Sequence, residues 1–152
     1  MNNLAYKNNN SSDSLFLEDC DLRKISQEVG TPFYCYSKNE LVANYQRFVR
    51  AFEKANILDY KICYAIKANG NINLVKILSE MGSGIDAVSA GEVFRAKKAN
   101  IDPEKIVFAG VGKTREEIEY ALTEGVEEFS VESVPEMFLL NDVAISLGKK
   151  AK

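Results

Sequence analysis

The sequence predicts an α/β protein made of consecutive βα units around a parallel sheet, about half of a (β/α)8 barrel. Three observations predict this. Strand-like runs begin near residues 61, 84, 106 and 128, at intervals of 23, 22 and 22. Between them lie apolar stripes of helical period, several behind a capping signal. The chain has 152 residues, enough for four such units but short of the roughly 250 of a closed barrel. An open four-stranded sheet is the alternative.

Each element has its own local signal. Residues 1–14 are rich in Asn and Ser, lack an apolar run and read as a frayed tail rather than a signal peptide. Leu15-Phe16-Leu17 suits a short strand, and residues 21–29 a helical segment ended by Gly30. After Thr31-Pro32, the run Phe33-Tyr34-Cys35-Tyr36 reads as a strand. Ser37-Lys38-Asn39-Glu40 is a capping box. The helix behind it has Leu41, Val42, Tyr45, Phe48, Val49, Phe52 and Ala55 at helical spacing, which predicts one buried stripe.

Residues 60–66 then give the first strand of the repeat, followed by a helix with Leu74, Ile77, Leu78 and Met81 on its inner face. Residues 84–88 give the second strand and 90–99 its helix. Residues 106–109 give the third, and the capping box Thr114-Arg115-Glu116-Glu117 precedes Ile118, Ala121 and Leu122. Residues 128–131 give the fourth. Ser133-Val134-Pro135-Glu136 opens a helix with Met137, Leu140, Ala144 and Leu147 inside, ended by Gly148.

Composition excludes several functions. Nineteen Lys+Arg against twenty-two Asp+Glu give a net charge of −3, no footprint for nucleic acid or an acidic membrane surface. No stretch approaches the ~20 apolar residues of a membrane span. The absence of histidine excludes Ser-His-Asp and Cys-His catalysis within this chain and imidazole-ligated zinc. Cys20, Cys35 and Cys63 have no C-x-x-C spacing. Cys35 and Cys63 read as small buried hydrophobes in a reducing cytoplasm, with no metal site expected.

The chemistry concentrates at one strand end. Alternation along residues 60–67 puts Tyr60, Ile62, Tyr64 and Ile66 on one face and Lys61, Cys63, Ala65 and Lys67 on the other. Lys67 then stands above small residues at the C-terminal end of a βα strand, where parallel α/β folds place their sites. A desolvated lysine there can condense with an aldehyde. The plainer alternative is a lysine leaving the strand for solvent. Asp86 lies near the end of the neighbouring strand, where a carboxylate can orient the amine or move its proton. A surface ion pair of little worth is its alternative. Ser89-Ala90-Gly91-Glu92 is a further capping box at the same rim.

Four stretches resemble one family. Tyr64-Ala65-Ile66-Lys67-Ala68-Asn69 is similar to the cofactor-lysine motif of fold-type III pyridoxal-phosphate enzymes. The segment from Gly84 through Asp86 and Ser89 to Glu92 resembles the second-strand motif of their decarboxylase branch. Ile106-Val107-Phe108-Ala109-Gly110-Val111-Gly112-Lys113-Thr114 and Phe129-Ser130-Val131-Glu132-Ser133 resemble diaminopimelate decarboxylases in particular, and Gly30-Thr31-Pro32-Phe33-Tyr34 resembles their entry into the barrel.

The resemblance implies a barrel of the alanine racemase-like type, with residues 31–152 as its first four βα units and residues 1–30 as a segment packing on a β-domain beyond this chain. It implies pyridoxal 5'-phosphate held by Lys67, with Asp86, Glu92, Ala65 and Ser89 around it, and decarboxylation of meso-diaminopimelate to L-lysine by a homodimer. The family's ring-stacking histidine, glycine-rich phosphate loop and C-terminal β-domain have no counterpart here. The expectations are therefore a decarboxylase portion that works with a complementing C-terminal fragment, an inert gene fragment, or a small pyridoxal-phosphate carrier. A generic open α/β ligand-binding domain has no G-x-G-x-x-G or Walker A pattern to support it.

Overall fold

The computed structural model of the protein describes residues 4–9, 12–126 and 128–152. The chain divides into two compact units, Met1–Ala51 and Phe52–Lys152.

In the first unit, β1 (Leu4–Asn9) and β2 (Ser12–Leu17) form an antiparallel hairpin, with Leu4 opposite Leu17 and Lys7 opposite Ser14. β3 (Cys20–Asp21) pairs with the end of β2. Most of the segment expected to fray is therefore strand. Residues 1–3, 10 and 11 of that expectation lie outside the described residues. The ladder satisfies the backbone, and the Lys7 ammonium sits 4.9 Å from the centre of the Phe16 ring and donates to the Glu18 carbonyl at 2.9 Å.

Asp21 caps α1 (Leu22–Val29) by accepting the Arg23 N–H, and Gly30 ends it at φ 81°. Residues 33–36 form no strand, because no neighbouring strand supplies their hydrogen bonds; Tyr34 is 90% exposed. α2 (Lys38–Lys54) starts at the expected cap, where Ser37 Oγ accepts the Glu40 N–H at 2.9 Å. Its predicted stripe is at best half-buried, and Phe48 is exposed.

In the second unit, β4 (Cys63–Ala65), β5 (Gly84–Ala87), β6 (Ile106–Phe108) and β7 (Glu128–Phe129) form a parallel sheet in sequence order. Between them run α3 (Ile72–Glu80), α4 (Ala90–Lys98) and α5 (Arg115–Thr123), with α6 (Val134–Ser146) after β7. Each of these helices packs on the next. A doubly wound sheet reverses its strand order at a switch point. This one does not, which is the single-layer winding of a barrel wall.

Register explains the two faces. Ile85 lies beside Ile106, Ala87 beside Phe108, and Phe108 beside Phe129; all are buried with Val75, Val93, Ile118, Leu122 and Val143 from the helices. Each fully buried Ile, Val or Phe contributes about 1.5–3 kcal/mol. α5 buries Ile118, Ala121 and Leu122 as predicted. α3 is turned by about one residue, burying Val75 with Leu78. On α6, Met137 lies outside the core while Val143 joins it.

The opposite face carries the row Ala65, Asp86, Val107 and Glu128. Lys61 crosses the lower end of this face, and its Nζ meets Glu128 Oε2 at 2.6 Å. A flat sheet holds its first and fourth strands about 14 Å apart, so this pair fits a sheet that curls toward that face. Gly84 makes room: a Cβ there would stand 2.6 Å from the Lys105 carbonyl oxygen, 2.8 Å from Cys63 Sγ and 3.3 Å from Lys61 Cε.

Candidate functional site

The upper, C-terminal end of the sheet gathers the sequence-predicted residues. β4 ends at Ala65, and a 3₁₀ turn, Ile66–Ala68, carries Lys67. The strand thus ends one residue before the expected residue 66, and Lys67 stands two residues past its end, on tighter backbone than a continued strand. Ile66 anchors the turn at 1% exposure. Two outside contacts hold the backbone just after the turn: the Tyr64 hydroxyl donates to the Asn69 carbonyl at 3.2 Å, and Arg95 Nη1 donates to the Gly70 carbonyl at 3.1 Å. The Lys67 side chain is exposed and makes no hydrogen bond or ion pair among the described residues.

Ala65 and Asp86 are direct neighbours across the β4–β5 ladder. Asp86 is half-buried and its carboxylate has no hydrogen bond or ion pair among the described residues. Lys67 and Asp86 therefore share the rim without forming a salt bridge. Glu92 and Ser89 are engaged locally. Ser89 Oγ accepts the Glu92 N–H at 3.3 Å, and Glu92 Oε2 accepts the Val88 N–H at 2.8 Å. The predicted box is thus shifted, since the glutamate reaches one residue before the cap. The structure brings Ala65 and Asp86 together beside the Lys67 turn and keeps Ser89 and Glu92 in the start of α4.

Cys63 lies lower on the same face and is half-buried, while Cys20 and Cys35 are exposed. Cys35 is therefore not the buried hydrophobe expected, because its segment packs on no strand. Burial pushes the Cys63 thiol above its usual value; Lys61 opposes this, and the Glu128 and Asp86 charges add to it.

The sequence reading missed the most buried ion pair of the rim. Lys113 Nζ donates to the Gly110 carbonyl at 2.7 Å, the Ser130 carbonyl at 2.6 Å and Glu136 Oε1 at 2.7 Å. The two side chains are 3% and 7% exposed. Glu136 also accepts the Glu132 N–H, while Ser133 caps α6, repeating the Ser89–Glu92 arrangement one strand pair along. Burial alone would raise the Glu136 pKa. Hydrogen bonds from Lys113 and the Glu132 N–H, with the Lys113 charge, outweigh it and hold the carboxyl below its usual value. Separately, Glu117 of the Thr114 capping box accepts the Ala90 N–H at 3.2 Å. The only hint in the sequence was a lysine between a glycine and a helix cap.

The profile of the "Pyridoxal-dependent decarboxylase, pyridoxal binding domain" matches residues 38–149. The chain belongs to the pyridoxal-dependent decarboxylases. It is 47% identical over 138 residues to the diaminopimelate decarboxylase of Aquifex aeolicus, a match covering 91% of this chain and 32% of that protein. It is 43% identical over 150 residues to that of Vibrio cholerae, covering 97% and 35%. The diaminopimelate decarboxylase of M. jannaschii, solved with L-lysine, superimposes with a TM-score of 0.88 at 33% identity, over 97% of this chain and 34% of that one.

The chain thus corresponds to an N-terminal portion, about a third, of these decarboxylases, and the barrel-type α/β class read from the sequence holds. The cofactor of the family is pyridoxal phosphate. The residues present fit its aldehyde end: an accessible amine and, on the neighbouring strand, a carboxylate, both without a hydrogen bond or ion pair among the described residues, with small Ala65 beside that carboxylate.

Proposed function

We propose that this chain carries the cofactor lysine of a pyridoxal-phosphate carboxy-lyase acting on diaminopimelate, and that Lys67 is that lysine. The observation that supports it is the accessible Lys67 amine on a braced turn, one strand from the Asp86 carboxylate, both without a hydrogen bond or ion pair among the described residues. When bound, pyridoxal phosphate supplies an aldehyde for the amine and a ring that takes up the electrons left by departing carbon dioxide. Lys67 would hold the group, and Asp86 would orient the amine and accept or return its proton. Ala65, with its small side chain beside Asp86, would leave space for the cofactor. Glu92 and Ser89 fix the Val88–Ala90 backbone at the rim. The diaminopimelate assignment draws support from the names of the relatives at 43–47% identity.

The chain spans about a third of those relatives, and on this reading it acts together with the rest of the decarboxylase fold, within a homodimeric assembly in the cytoplasm. These 152 residues alone are expected to release no carbon dioxide from meso-diaminopimelate; turnover by them alone would refute the dependence on the rest of the fold. Any cofactor-dependent visible absorption is expected to vanish in Lys67→Ala. Survival of that absorption would refute the role of Lys67.

A further inference from the structure

We infer that Arg95 is a positioning residue of the candidate site: from α4 it clamps the backbone just after the Lys67 turn and so sets the Lys67 amine against the Asp86 carboxylate. This rests on the assignment of Lys67 and Asp86 above and names what holds the two in register.

α4 is tied to the backbone that follows each of these groups. At its start, Ser89 caps the helix and Glu92 Oε2 accepts the Val88 N–H at 2.8 Å, two residues beyond Asp86. One turn on, Arg95 Nη1 donates to the Gly70 carbonyl at 3.1 Å, three residues beyond Lys67. Glu92 and Arg95 are three apart and so share a helix face. Gly70 gives the arginine a close seat. Arg95 Cδ, Nε and Cζ stand 3.4, 3.7 and 3.8 Å from where a Cβ on Gly70 would be. The hydrogen bond is therefore backed by packing along the arginine stem.

The neighbouring contacts do not make this link. Tyr64 holds the Asn69 carbonyl at 3.2 Å, but it belongs to β4, which leads into the turn, and so fixes the turn only against its own strand. Asn69 and Asn71 accept the N–H groups of Asn71 and Asn73, which joins the turn to α3. The other cations in the last turn of α4 are used elsewhere. Lys97 pairs with Glu124 at 3.4 Å, and Lys98 lies 5.3 Å from the centre of the Phe94 ring. Arg95 has no carboxylate partner among the described residues. A guanidinium serving only the C-terminal dipole of α4 would need no acceptor 25 residues away. The Lys67 amine makes no bond of its own among the described residues, so the backbone must aim it. Misplacing a reacting group by about 1 Å can cost ~100-fold in rate.

The test uses the 152-residue chain with pyridoxal 5'-phosphate and borohydride. Peptide mass spectrometry reads the rate of labelling at Lys67 against Lys24 and Lys76 of the same molecules. Arg95→Met keeps the stem and removes the donors. It is expected to cut the Lys67 rate about 10-fold while the rates at Lys24 and Lys76, and the far-UV circular dichroism, stay unchanged. Arg95→Lys, which keeps a cationic donor, is expected to restore most of that rate. Asp86→Asn is expected to slow Lys67 in the wild type and to have no further effect in Arg95→Met, because amine and carboxylate are then already out of register. A purely structural arginine would leave the two effects additive. An unchanged Lys67 rate in Arg95→Met, no recovery in Arg95→Lys, or additive effects would overturn the inference while leaving Lys67 as the reactive lysine. Wild-type label with no preference for Lys67 would instead overturn that assignment, and this inference with it.

Discussion

Phe52–Lys152 holds every fully buried apolar side chain among the described residues, and Met1–Ala51 holds none. The second unit is organised by a continuous apolar layer between sheet and helices. The first is organised by polar local contacts. Arg23 donates to Ser14 Oγ at 2.7 Å, Asp21 caps α1, and Glu18 accepts from Ser37 and Asn39. α5 and α2 make the difference concrete. Both have apolar residues at helical spacing, yet α5 buries all three predicted positions and α2 buries none. Periodicity says which side of a helix seeks cover; it does not say that the same chain supplies the cover.

Substitutions sharpen the contrast. The largest effect is expected for Phe108→Ala, which opens a cavity where sheet and helices meet and should lower unfolding free energy by about 3–5 kcal/mol. Lys113→Met should lower it by a similar ~3–5 kcal/mol, because Glu136 is left charged and buried. Replacing both, Lys113→Met with Glu136→Leu, should recover much of that loss. Urea unfolding followed by circular dichroism measures all three. A wild-type-like midpoint for Lys113→Met would remove the pair from the account of the rim.

The same pair sets an acid dependence. Glu136 has a folded-state pKa below its ordinary 4.5, so its contribution is present above that value and is lost as pH falls through the lower folded value. Between pH 7 and pH 3 the urea midpoint of the wild type should fall more than that of Glu136→Gln. An equal fall in both would contradict this. Ser89→Ala, which removes the cap of α4, should cost about 1 kcal/mol. The smallest effect is expected in the other unit: Phe48→Ala should change stability by no more than ~0.5 kcal/mol. A loss as large as that of Phe108→Ala would abolish the distinction between the two units.

Much of the second unit was legible in the sequence because its strands and helices report a local rule. Residues 106–108 and 118–122 alternate or repeat with the period of the face they bury. The caps Ser89, Thr114 and Ser133 are local as well, and all three accept the N–H three residues on. What escaped was long-range or partner-dependent. Nothing near Lys113 announces Glu136, 23 residues away. Residues 33–36 look like a strand but lack a neighbour, and the hairpin of residues 4–17 pairs two segments too polar to declare an inner face. At the candidate site, the alternation of residues 60–67 put Lys67 at the C-terminal end of a strand, and in the structure it lies in the turn just beyond β4. The 3₁₀ turn that carries it, and the use of Glu92 on the Val88 N–H, depend on backbone geometry that residue types do not reveal.

The most direct measurement is reductive trapping. The chain is mixed with pyridoxal 5'-phosphate, reduced with borohydride and mapped by peptide mass spectrometry. The account predicts label concentrated on Lys67, above other exposed lysines such as Lys24, Lys76 and Lys98. Label spread evenly over the surface lysines, with none favoured at position 67, would contradict it.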